Sequence, residues 1–507
     1  MQGKLEPAAL VPDKEGGGAL RRLARHTSIY SIGSLLVTFA SIISFPVFTR
    51  IFTVSEYGTM GLVTSTILFL VGVGKLGLQH SVVRFYSEVE AGTRHNTAVQ
   101  FFSTVLFSML ATGAIVSVLG ALLVKLMPTH WWGETQTQHL VVFAAPLILI
   151  RVVDSAMYNM LRAQQKSALY STYFTVRKYL GLALILLVLF FVSRSLEGFF
   201  AASIVSEGLA VFVIITYYWR QHVFDVRKIS KPLLFSMLMY GLPLFASELS
   251  GLLLNIGGRY IINYRLGPEP LGSFSAAYNF SDYLQGILTA SFAQAIIPIY
   301  FRLWEQKGPE KTAAFLQDSL RYYMAISIPI VAGIGAVGPE LVRLLASAKY
   351  NVSAPLITFV TAGMLISGGT PLFSAGVYIK KQTKIVMYSV LAAAVCNIAL
   401  TIALTQGYGI EGAAVATLVS LTLYAASTAY FGRRTVQVRM PWRDLASFSA
   451  LSLLMYGVIT RIELPSLALR ISAQIACGAV LYVGLLLLID RPMRGLAQKG
   501  LSHLRRS

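Results

Sequence analysis

Leu196–Ser206 reads L-E-G-F-F-A-A-S-I-V-S, and Ile410–Ser420 reads I-E-G-A-A-V-A-T-L-V-S. The two stretches share the glutamate and glycine near their start and the small residues that follow. Gly198 of the first stretch corresponds to Gly412 of the second. A likeness of this length indicates that one structural unit occurs twice.

A second pair of glycines has the same spacing. The interval in the chain from Gly58 to Gly272 equals the interval from Gly198 to Gly412, and Gly58 and Gly272 each open a long apolar run. Two places that share this interval, which we call the repeat offset, predict a duplication that fills most of the 507 residues. If each unit holds an even number of membrane spans, both units have the same orientation. This is the parallel-repeat plan of many transporters, whose substrate site lies between the halves.

The composition predicts a membrane protein. Hydrophobic residues make up 55% of the chain and charged residues 13%, and the mean hydropathy is +0.65, which is too apolar for a soluble protein of this size. Apolar runs long enough to cross a bilayer as helices recur, and alternating strand patterns are absent. We predict an all-α polytopic protein with about fourteen transmembrane helices. Their predicted ranges are 28–50, 57–83, 98–124, 140–163, 170–193, 199–219, 235–258, 273–300, 320–339, 354–378, 385–405, 412–432, 445–461 and 468–489.

The net charge of +20 reflects membrane topology and does not indicate nucleic-acid binding. With the amino terminus placed inside, the inner connections and helix ends carry 31 of the 42 Lys and Arg residues. The outer side carries eight, among them Arg259 and Arg265. Such a bias follows the positive-inside rule. We therefore predict a protein of the cytoplasmic (inner) membrane with both termini in the cytoplasm, whose basic loops contact anionic membrane lipids.

The repeat and the spans together predict one membrane domain built of two halves. We expect a cytoplasmic tail at 1–27, six-helix bundles at 28–220 and 235–433, a cytoplasmic linker at 221–234, an extra helix pair at 445–489 and a cytoplasmic tail at 490–507. The two cysteines, Cys396 and Cys477, lie in apolar runs, so neither a disulfide framework nor a zinc site is expected.

Basic residues inside the predicted spans, together with Arg84 at the inner edge of the second span, are candidates for a binding site, because a charge within the bilayer is costly. They are Lys75, Arg84, Arg151, Arg177 and Lys178. A role in packing is an alternative for several of them. Arg151 and Asp154 share one helix face and would neutralise each other, and Arg177 and Lys178 could reach the inner interface by snorkelling.

Acidic and amide residues of the second half form another candidate set. They are Glu248, Asp282, Asn255 and Asn279. On adjacent helices their oxygens would bind Na⁺, or a buried carboxyl would exchange a proton. These residues would then couple transport to a Na⁺ or proton gradient, and no other cofactor or metal is expected. Alternatively, Glu248 and Asp282 pair with Arg259, Lys75 or Arg151 and hold the halves together.

Several short motifs resemble those of one transporter family. They are Pro46, Thr49-Arg50, Glu56-Tyr57-Gly58, Gly77-Leu78 and Arg84 in the first two helices, Tyr240–Pro243 at the start of the second half, and Gly407–Ala414 before the twelfth span. In this order, and with the duplication, they resemble the polysaccharide transporter family. These are O-antigen-type lipid-linked oligosaccharide flippases of the MOP (multidrug/oligosaccharidyl-lipid/polysaccharide) superfamily.

The resemblance implies a MATE-like fold, with two six-helix bundles around a cavity that opens to each side in turn. It implies a substrate of sugars on a polyprenyl diphosphate, moved from the inner to the outer leaflet. The candidate cations would bind the diphosphate, and the lipid tail would lie in the bilayer beside the helix pair at 445–489. Glycan polymerase or assembly proteins are further partners that the family implies.

Three other functions compete with this interpretation. A cation-coupled multidrug exporter of the same superfamily would share the fold, and Glu248 after Gly241-Leu242-Pro243 resembles its cation site. A membrane glycan polymerase or ligase would need a large outer loop with catalytic residues, and the sequence has none. A scaffold without transport would leave the charges inside the spans unexplained.

Overall fold

The computed structural model describes Gly33 and residues 36–490 and 492–495. Every regular element in these ranges is a helix, which confirms the predicted all-α class. The predicted tail at 1–27, the start of the first span and nearly all of the tail at 490–507 lie outside the described residues.

Eight helices form what we call the first half. They are α1 (Leu36–Ile51), α2 (Val54–Lys75), α3 (Leu78–Glu90), α4 (Ala98–Leu126), α5 (Thr135–Ala144), α6 (Pro146–Ala163), α7 (Ser167–Phe191) and α8 (Leu196–Arg220). Helices α2 and α3 together make one span, and α5 and α6 make another. The half therefore contains six crossings, as the sequence predicts.

Six helices form what we call the second half, and two more follow it. The second half comprises α9 (Lys231–Leu266), α10 (Pro268–Leu345), α11 (Ala354–Gly368), α12 (Thr370–Phe373), α13 (Ala375–Ile379) and α14 (Thr383–Gly432), and the last two helices are α15 (Trp442–Ile459) and α16 (Leu467–Ile489). Gly308 (φ 75°) divides α10 and Gly409 (φ 55°) divides α14, so each of these helices holds two predicted spans. The predicted count of fourteen thus agrees with the described residues.

The repeat is visible in the helix starts. Helix α2 begins at Val54 and α10 begins at Pro268, and the repeat offset separates these two residues. Helix α8 begins at Leu196, and the second part of α14 resumes one repeat offset later at Ile410, directly after Gly409. The sequence duplication therefore corresponds to a repeated helical backbone.

Local sequence explains where span two begins and breaks. Thr53 caps α2 and exchanges hydrogen bonds with Glu56, so that both residues satisfy free backbone amides of the first turn. The helix ends at Lys75, because Leu76 (φ 47°) and Gly77 (φ 77°) both take left-handed backbone conformations. Glycine tolerates this conformation better than other residues, and α3 then continues in a new direction.

The repeated glycines bring the two halves into contact. A Cβ on Gly58 would lie 2.1 Å from the Pro268 carbonyl oxygen, and one on Gly272 would lie 2.0 Å from the Val54 carbonyl oxygen. The starts of α2 and α10 therefore touch backbone to backbone. Only glycine permits such an approach, so these two positions join the halves at the outer end of the predicted topology.

Ion pairs attach the last two helices to α10. The Arg321 guanidinium, on the second part of α10, pairs with Asp444 at the start of α15 (3.0 Å) and with Asp490 just after α16. Near the opposite end of α10, Glu340 pairs with Arg470 of α16 (2.5 Å). The helix pair is thus fixed to the second half near both membrane surfaces.

Candidate functional site

A polar cavity of about 380 Å³ lies between the halves. Helices α2, α9, α10, α11 and α14 surround it, so it has walls from both repeats. Its polar lining residues are Thr64, Ser65, Asn255, Arg259, Tyr278, Asn279, Asp282, Gln285 and Ser367. We call it the central cavity.

Arg259 is the one basic residue of the central cavity among the described residues. Its guanidinium donates to Ser65 Oγ (3.2 Å) and to Asn279 Oδ1 (3.3 Å), and it lies 5.0 Å from the centre of the Tyr278 ring. Its Nε is buried and has no hydrogen-bond partner in the described part of the chain. Among those residues, none forms an ion pair with it. Arg259 is therefore held in place by neutral acceptors, and the Asp282 carboxylate shares the cavity with it outside ion-pair distance.

Three of the four predicted coupling residues line this cavity with Arg259. Asn279 also donates to the Tyr57 hydroxyl (2.9 Å), and Asn255 Oδ1 accepts a hydrogen bond from the Tyr278 hydroxyl (3.0 Å). Asp282 lines the same space. The amide oxygens of both asparagines are thus already occupied by donors, one of which is a guanidinium.

The fourth, Glu248, has its partners elsewhere. Its carboxylate accepts from Gln79 and His80 (2.9 Å for His80) and pairs with Lys75 (3.6 Å). These contacts join α9 to the α2–α3 break. The alternative that Glu248 pairs with Lys75 and connects the halves therefore matches the geometry, and Lys75 is not a lining residue of the central cavity.

Next to this cluster the two halves meet at another pair of glycines. A Cβ on Gly77 would lie 2.3 Å from the Gly241 carbonyl oxygen, and one on Gly241 would lie 2.4 Å from that of Gly77. The Ser81 hydroxyl donates to the Met237 carbonyl (2.6 Å). The part of this span around the α2–α3 break is therefore closely joined to α9.

A smaller cavity of about 290 Å³ lies within the first half, between α1, α6, α7 and α8. Arg151 forms a two-pronged ion pair there with Glu207 (2.9 and 2.7 Å). Arg177 pairs with Asp154 (2.5 Å), which also accepts from the Tyr173 hydroxyl (2.6 Å). The expected pairing of Arg151 with Asp154 on one helix is wrong, because each binds a residue of a neighbouring helix instead.

Lys178 lines the same small cavity and has no ion pair among the described residues. The cavity is thus lined by three cations and by the Glu207 carboxylate, and Asp154 binds one of these cations, Arg177, without lining the cavity itself. Arg84 lies apart from all of these groups. It is exposed on α3, where it pairs with Glu88 (3.4 Å) and lies 4.6 Å from the Tyr240 ring centre. The five predicted cations therefore occupy three places and do not form one site.

The sequence analysis missed the position of Arg259 because it ended span seven at residue 258. Helix α9 continues to Leu266, so the assignment of Arg259 to the outer surface is wrong. Gly257-Gly258-Arg259 lowers the local hydropathy, but Ser65 and Asn279 accept hydrogen bonds from the two terminal nitrogens of the guanidinium and the helix continues. The signal available in the sequence was the apolar pattern that resumes at Ile261-Ile262.

A third cavity lies beside the extra helix pair and is apolar. It measures about 850 Å³ and is bounded by α10, α11 and α15, with Met324, Ile328, Phe359, Leu453 and Tyr456 among its walls. Within the described residues, no group of three His, Cys, Asp or Glu side chains is placed to hold a metal ion.

The family model described as "Polysaccharide biosynthesis protein" matches residues 23–304. The chain belongs to this family. The match covers the whole first half together with α9 and the start of α10, including Arg259 and the central-cavity residues of α2. The predicted resemblance to polysaccharide transporters is confirmed.

Two curated relatives are similar along different lengths of the chain. The succinoglycan biosynthesis transport protein ExoT of Rhizobium meliloti is 21% identical over 471 residues, which are 89% of this chain and 90% of that protein. The probable low-salt glycan biosynthesis flippase Agl15 of Haloferax volcanii is 21% identical over 252 residues. That alignment covers 48% of this chain and about half (52%) of the archaeal protein.

Solved structures share the fold. The lipid II flippase MurJ in an inward closed conformation superposes with a TM-score of 0.68 at 16% identity, over 93% of this chain and 99% of MurJ. An inward-facing MATE multidrug transporter of the MOP superfamily gives 0.63 at 15% identity, over 84% and 99% of the two chains. The predicted MATE-like architecture is therefore confirmed, and this family member is a multi-pass membrane protein.

Proposed function

We propose that the protein is a flippase that moves an oligosaccharide linked to a polyprenyl diphosphate from the inner to the outer leaflet of the cytoplasmic membrane. The exported glycan would serve the synthesis of a surface or secreted polysaccharide. Family membership and the names of the two curated relatives support this class of substrate. No step of the proposal needs catalysis, so the protein acts as a transporter and not as an enzyme.

The observation that carries the proposal is the unpaired guanidinium in the central cavity. A diphosphate that enters a cavity inside the membrane needs a cation to replace its hydration. Arg259 lies between the halves, is held by Ser65 and Asn279, and pairs with no carboxylate of the described residues. A guanidinium suits phosphate oxygens because it offers several donors in one plane.

The other groups of the central cavity fit sugars. Amides and hydroxyls such as Asn255, Gln285, Ser367 and Thr64 offer both donors and acceptors. The cavity volume of about 380 Å³ accommodates part of an oligosaccharide in this conformation. Asp282 would accept hydrogen bonds from sugar hydroxyls on the side away from the diphosphate.

The apolar cavity beside α15 fits the lipid portion of the cargo. A polyprenyl chain needs a hydrocarbon-like wall and no polar partner. This cavity lies between α10, α11 and α15, and its exposed surface is almost entirely apolar. The tail would lie there, in contact with the bilayer, when the headgroup enters the central cavity.

The energy source and the orientation are further parts of the proposal. Coupling to Na⁺ or protons through Glu248, Asp282, Asn255 and Asn279 stays a prediction, and Glu248 would act separately from the other three because its partners are Lys75, Gln79 and His80. The charge bias between loops favours cytoplasmic termini. Glycan polymerase or assembly proteins would receive the product on the outer side.

A multidrug exporter is less compatible with the cavity. Arg259 would repel a cationic drug placed next to it, because unlike the two arginines of the first-half cavity it has no carboxylate within ion-pair distance among the described residues, and Asp282 is the one carboxylate of those residues that lines the cavity with it. The shared fold with MATE transporters does not alter this electrostatic argument.

The test is transport in proteoliposomes that contain a fluorescent undecaprenyl diphosphate oligosaccharide. Arg259→Gln should lower the rate by about tenfold or more, because a charge-assisted hydrogen bond contributes about 1.5–3 kcal/mol. Arg259→Lys should retain part of the rate, since the charge is kept and the planar donor set is lost.

Arg343→Gln is the matched control, because Arg343 is exposed near the outer end of α10 and lines none of the cavities described above. It should transport at the wild-type rate. Wild-type protein that moves no lipid-linked oligosaccharide would refute the proposed function. Full transport by a correctly folded Arg259→Gln variant would refute the role of the guanidinium alone.

A further inference from the structure

The wall formed by α2 and α9 separates the central cavity from a second, apolar space. This space measures about 900 Å³ and is bounded by α2, α4, α9 and the end of the first part of α14. Its walls include Phe69, Leu70, Leu123, Val124 and Ile261. We call it the seam cleft. It touches both halves, as the central cavity does, and it is distinct from the cavity beside α15.

The wall between the two spaces consists of the helix pair α2 and α9. On α2, Ser65 lines the central cavity, and the next residue, Thr66, lines the seam cleft. On α9, Arg259 lines the central cavity, and the next residue, Tyr260, lines the cleft. Opposite faces of the same two helices therefore line a polar chamber and an apolar one.

Two side-chain hydrogen bonds join the outer part of this wall. Arg259 donates to Ser65 Oγ at 3.2 Å, and the hydroxyls of Thr66 and Tyr260 are 2.9 Å apart. Neither contact is an ion pair. The neutral Thr66–Tyr260 bond contributes only about 1 kcal/mol net, and the charge-assisted bond from Arg259 about 1.5–3 kcal/mol. This part of the wall can therefore separate at modest cost.

The inner part of the same wall is joined much more strongly. There Glu248 binds Lys75, Gln79 and His80, and the backbones of Gly77 and Gly241 are in direct contact. The difference between the two ends favours an opening at the outer end. Such an opening would connect the central cavity sideways to the cleft.

We propose that the outer part of the α2–α9 wall is a lateral gate, and that the seam cleft takes the polyprenyl chain of the cargo as its headgroup leaves for the outer leaflet. This inference rests on the proposed function. Arg259 would hold the diphosphate on the polar side of the gate, and the apolar cleft would receive the chain on the other side.

The rim of the cleft supports this occupant. Arg265, which is exposed beyond Arg259 on α9, lines the cleft and donates to the Ile402 carbonyl (2.5 Å). It supplies a second cation along the exit path of a diphosphate. Trp131 and Tyr264 are also exposed at the rim, and such aromatic side chains are typical of the membrane interface.

Photo-crosslinking from two positions on α4 tests the occupant. Leu123 lines the cleft and is 57% exposed, whereas Val118 is 68% exposed and lies outside the cleft. A benzophenone amino acid is placed at each position in turn. The protein is reconstituted in phosphatidylethanolamine and phosphatidylglycerol vesicles with undecaprenyl diphosphate oligosaccharide. Mass spectrometry of the adducts should show several-fold more polyprenyl cargo at Leu123 than at Val118.

Filling the cleft gives a functional readout. Gly120 lines the cleft, and a Cβ there would first meet the flexible end of Leu70 at 3.0 Å, so a larger side chain can be accommodated without moving the backbone. Gly120→Phe should slow transport several-fold. Its binding of a water-soluble oligosaccharide diphosphate that lacks the long chain should equal that of the wild type.

The outcomes separate this inference from the proposed function. If wild-type protein transports the cargo while Leu123 captures only phospholipid, or captures cargo no better than Val118, the gate is refuted and the flippase stands. Wild-type rates in Gly120→Phe would refute it equally. If wild-type protein transports no cargo, the proposed function itself fails.

Discussion

The two halves start corresponding helices one repeat offset apart, but they differ in the charges that they place at corresponding positions inside these helices. In the first half, one small cavity is lined by Arg151, Arg177, Lys178 and Glu207, and Asp154 pairs with Arg177. The repeat offset gives their counterparts in the second half, which are Leu365, Gly368, Leu391, Ala392 and Leu421. None of the counterparts is charged.

Comparison of the halves shows that a duplicated position keeps the same residue where a close backbone contact requires it. At other duplicated positions the side chains differ in charge. Gly58 and Gly272 stay glycine because each contacts the other's helix. The ion pairs of the first half bind α6 to α7 and α8, whereas Arg259 of the second half is the one cation among the described residues that lines the central cavity. One half uses its charges for packing, and the other leaves a charge available.

The largest loss of stability should follow substitution at a position where both halves keep the same residue. Gly272→Ala places a methyl group 2.0 Å from the Val54 carbonyl oxygen, and neither backbone can move without separating α2 from α10. We expect a loss of about 3 kcal/mol in the free energy of unfolding. Thermal unfolding in detergent measures it.

Gly286→Ala is the control on the same helix, because nothing lies within 4 Å of its added Cβ. It should be neutral or stabilising by about 0.5–1 kcal/mol, since alanine is the better helix former. Equal melting temperatures for the two variants would show that the glycine contact does not hold the halves together.

A smaller loss of stability is expected when a charged residue of the first half is replaced by the residue found at the corresponding position of the second half. Arg151→Leu introduces the residue found at position 365 and leaves Glu207 without its partner. We expect a cost of about 2–3 kcal/mol, somewhat below that of a fully buried pair, because both side chains keep some exposure in the cavity. The measurement is again thermal unfolding.

The double variant Arg151→Leu, Glu207→Leu supplies both counterpart residues. It should recover most of the lost stability, because two apolar side chains can replace an ion pair at little cost. A double variant as unstable as Arg151→Leu would mean that Arg151 supports more than this pair.

The smallest effect on stability is expected at Lys178, the cation of the first-half cavity that has no ion pair among the described residues. Lys178→Ala introduces the residue found at position 392, and no ion pair of the described residues is broken. The free energy of unfolding should change by no more than about 0.5 kcal/mol. A loss as large as that of Arg151→Leu would show that Lys178 neutralises one of the two carboxylates.

The fold could be predicted from the sequence because its signals are local or periodic. The apolar runs predict the spans, and the repeat offset predicts where helices restart, as Pro268 and Ile410 show. Family motifs such as Tyr240–Pro243 add the architecture. Even the turns at Gly308 and Gly409 fall between predicted spans, because glycine allows the conformation that a sharp reversal needs.

The site could be predicted only in part, because pairing between helices leaves no mark on a single segment. The sequence identifies Arg151, Arg177 and Lys75 as charges in the membrane, but it does not show that Glu207, Asp154 and Glu248 neutralise them. It also misses Arg259, which the predicted end of span seven places outside the membrane. Hydropathy counts a charge as a cost and does not record the neighbours that offset it.

The attachment of α15 and α16 has a consequence for the evolution and engineering of the chain. Arg321 reaches one carboxylate at each end of the helix pair, Asp444 in the first turn of α15 and Asp490 just after α16. A chain shortened to twelve crossings would therefore retain a guanidinium near the membrane with no counterion in its place. Conversion to a twelve-crossing transporter would need a compensating substitution at Arg321, so the last two helices are not a removable appendage.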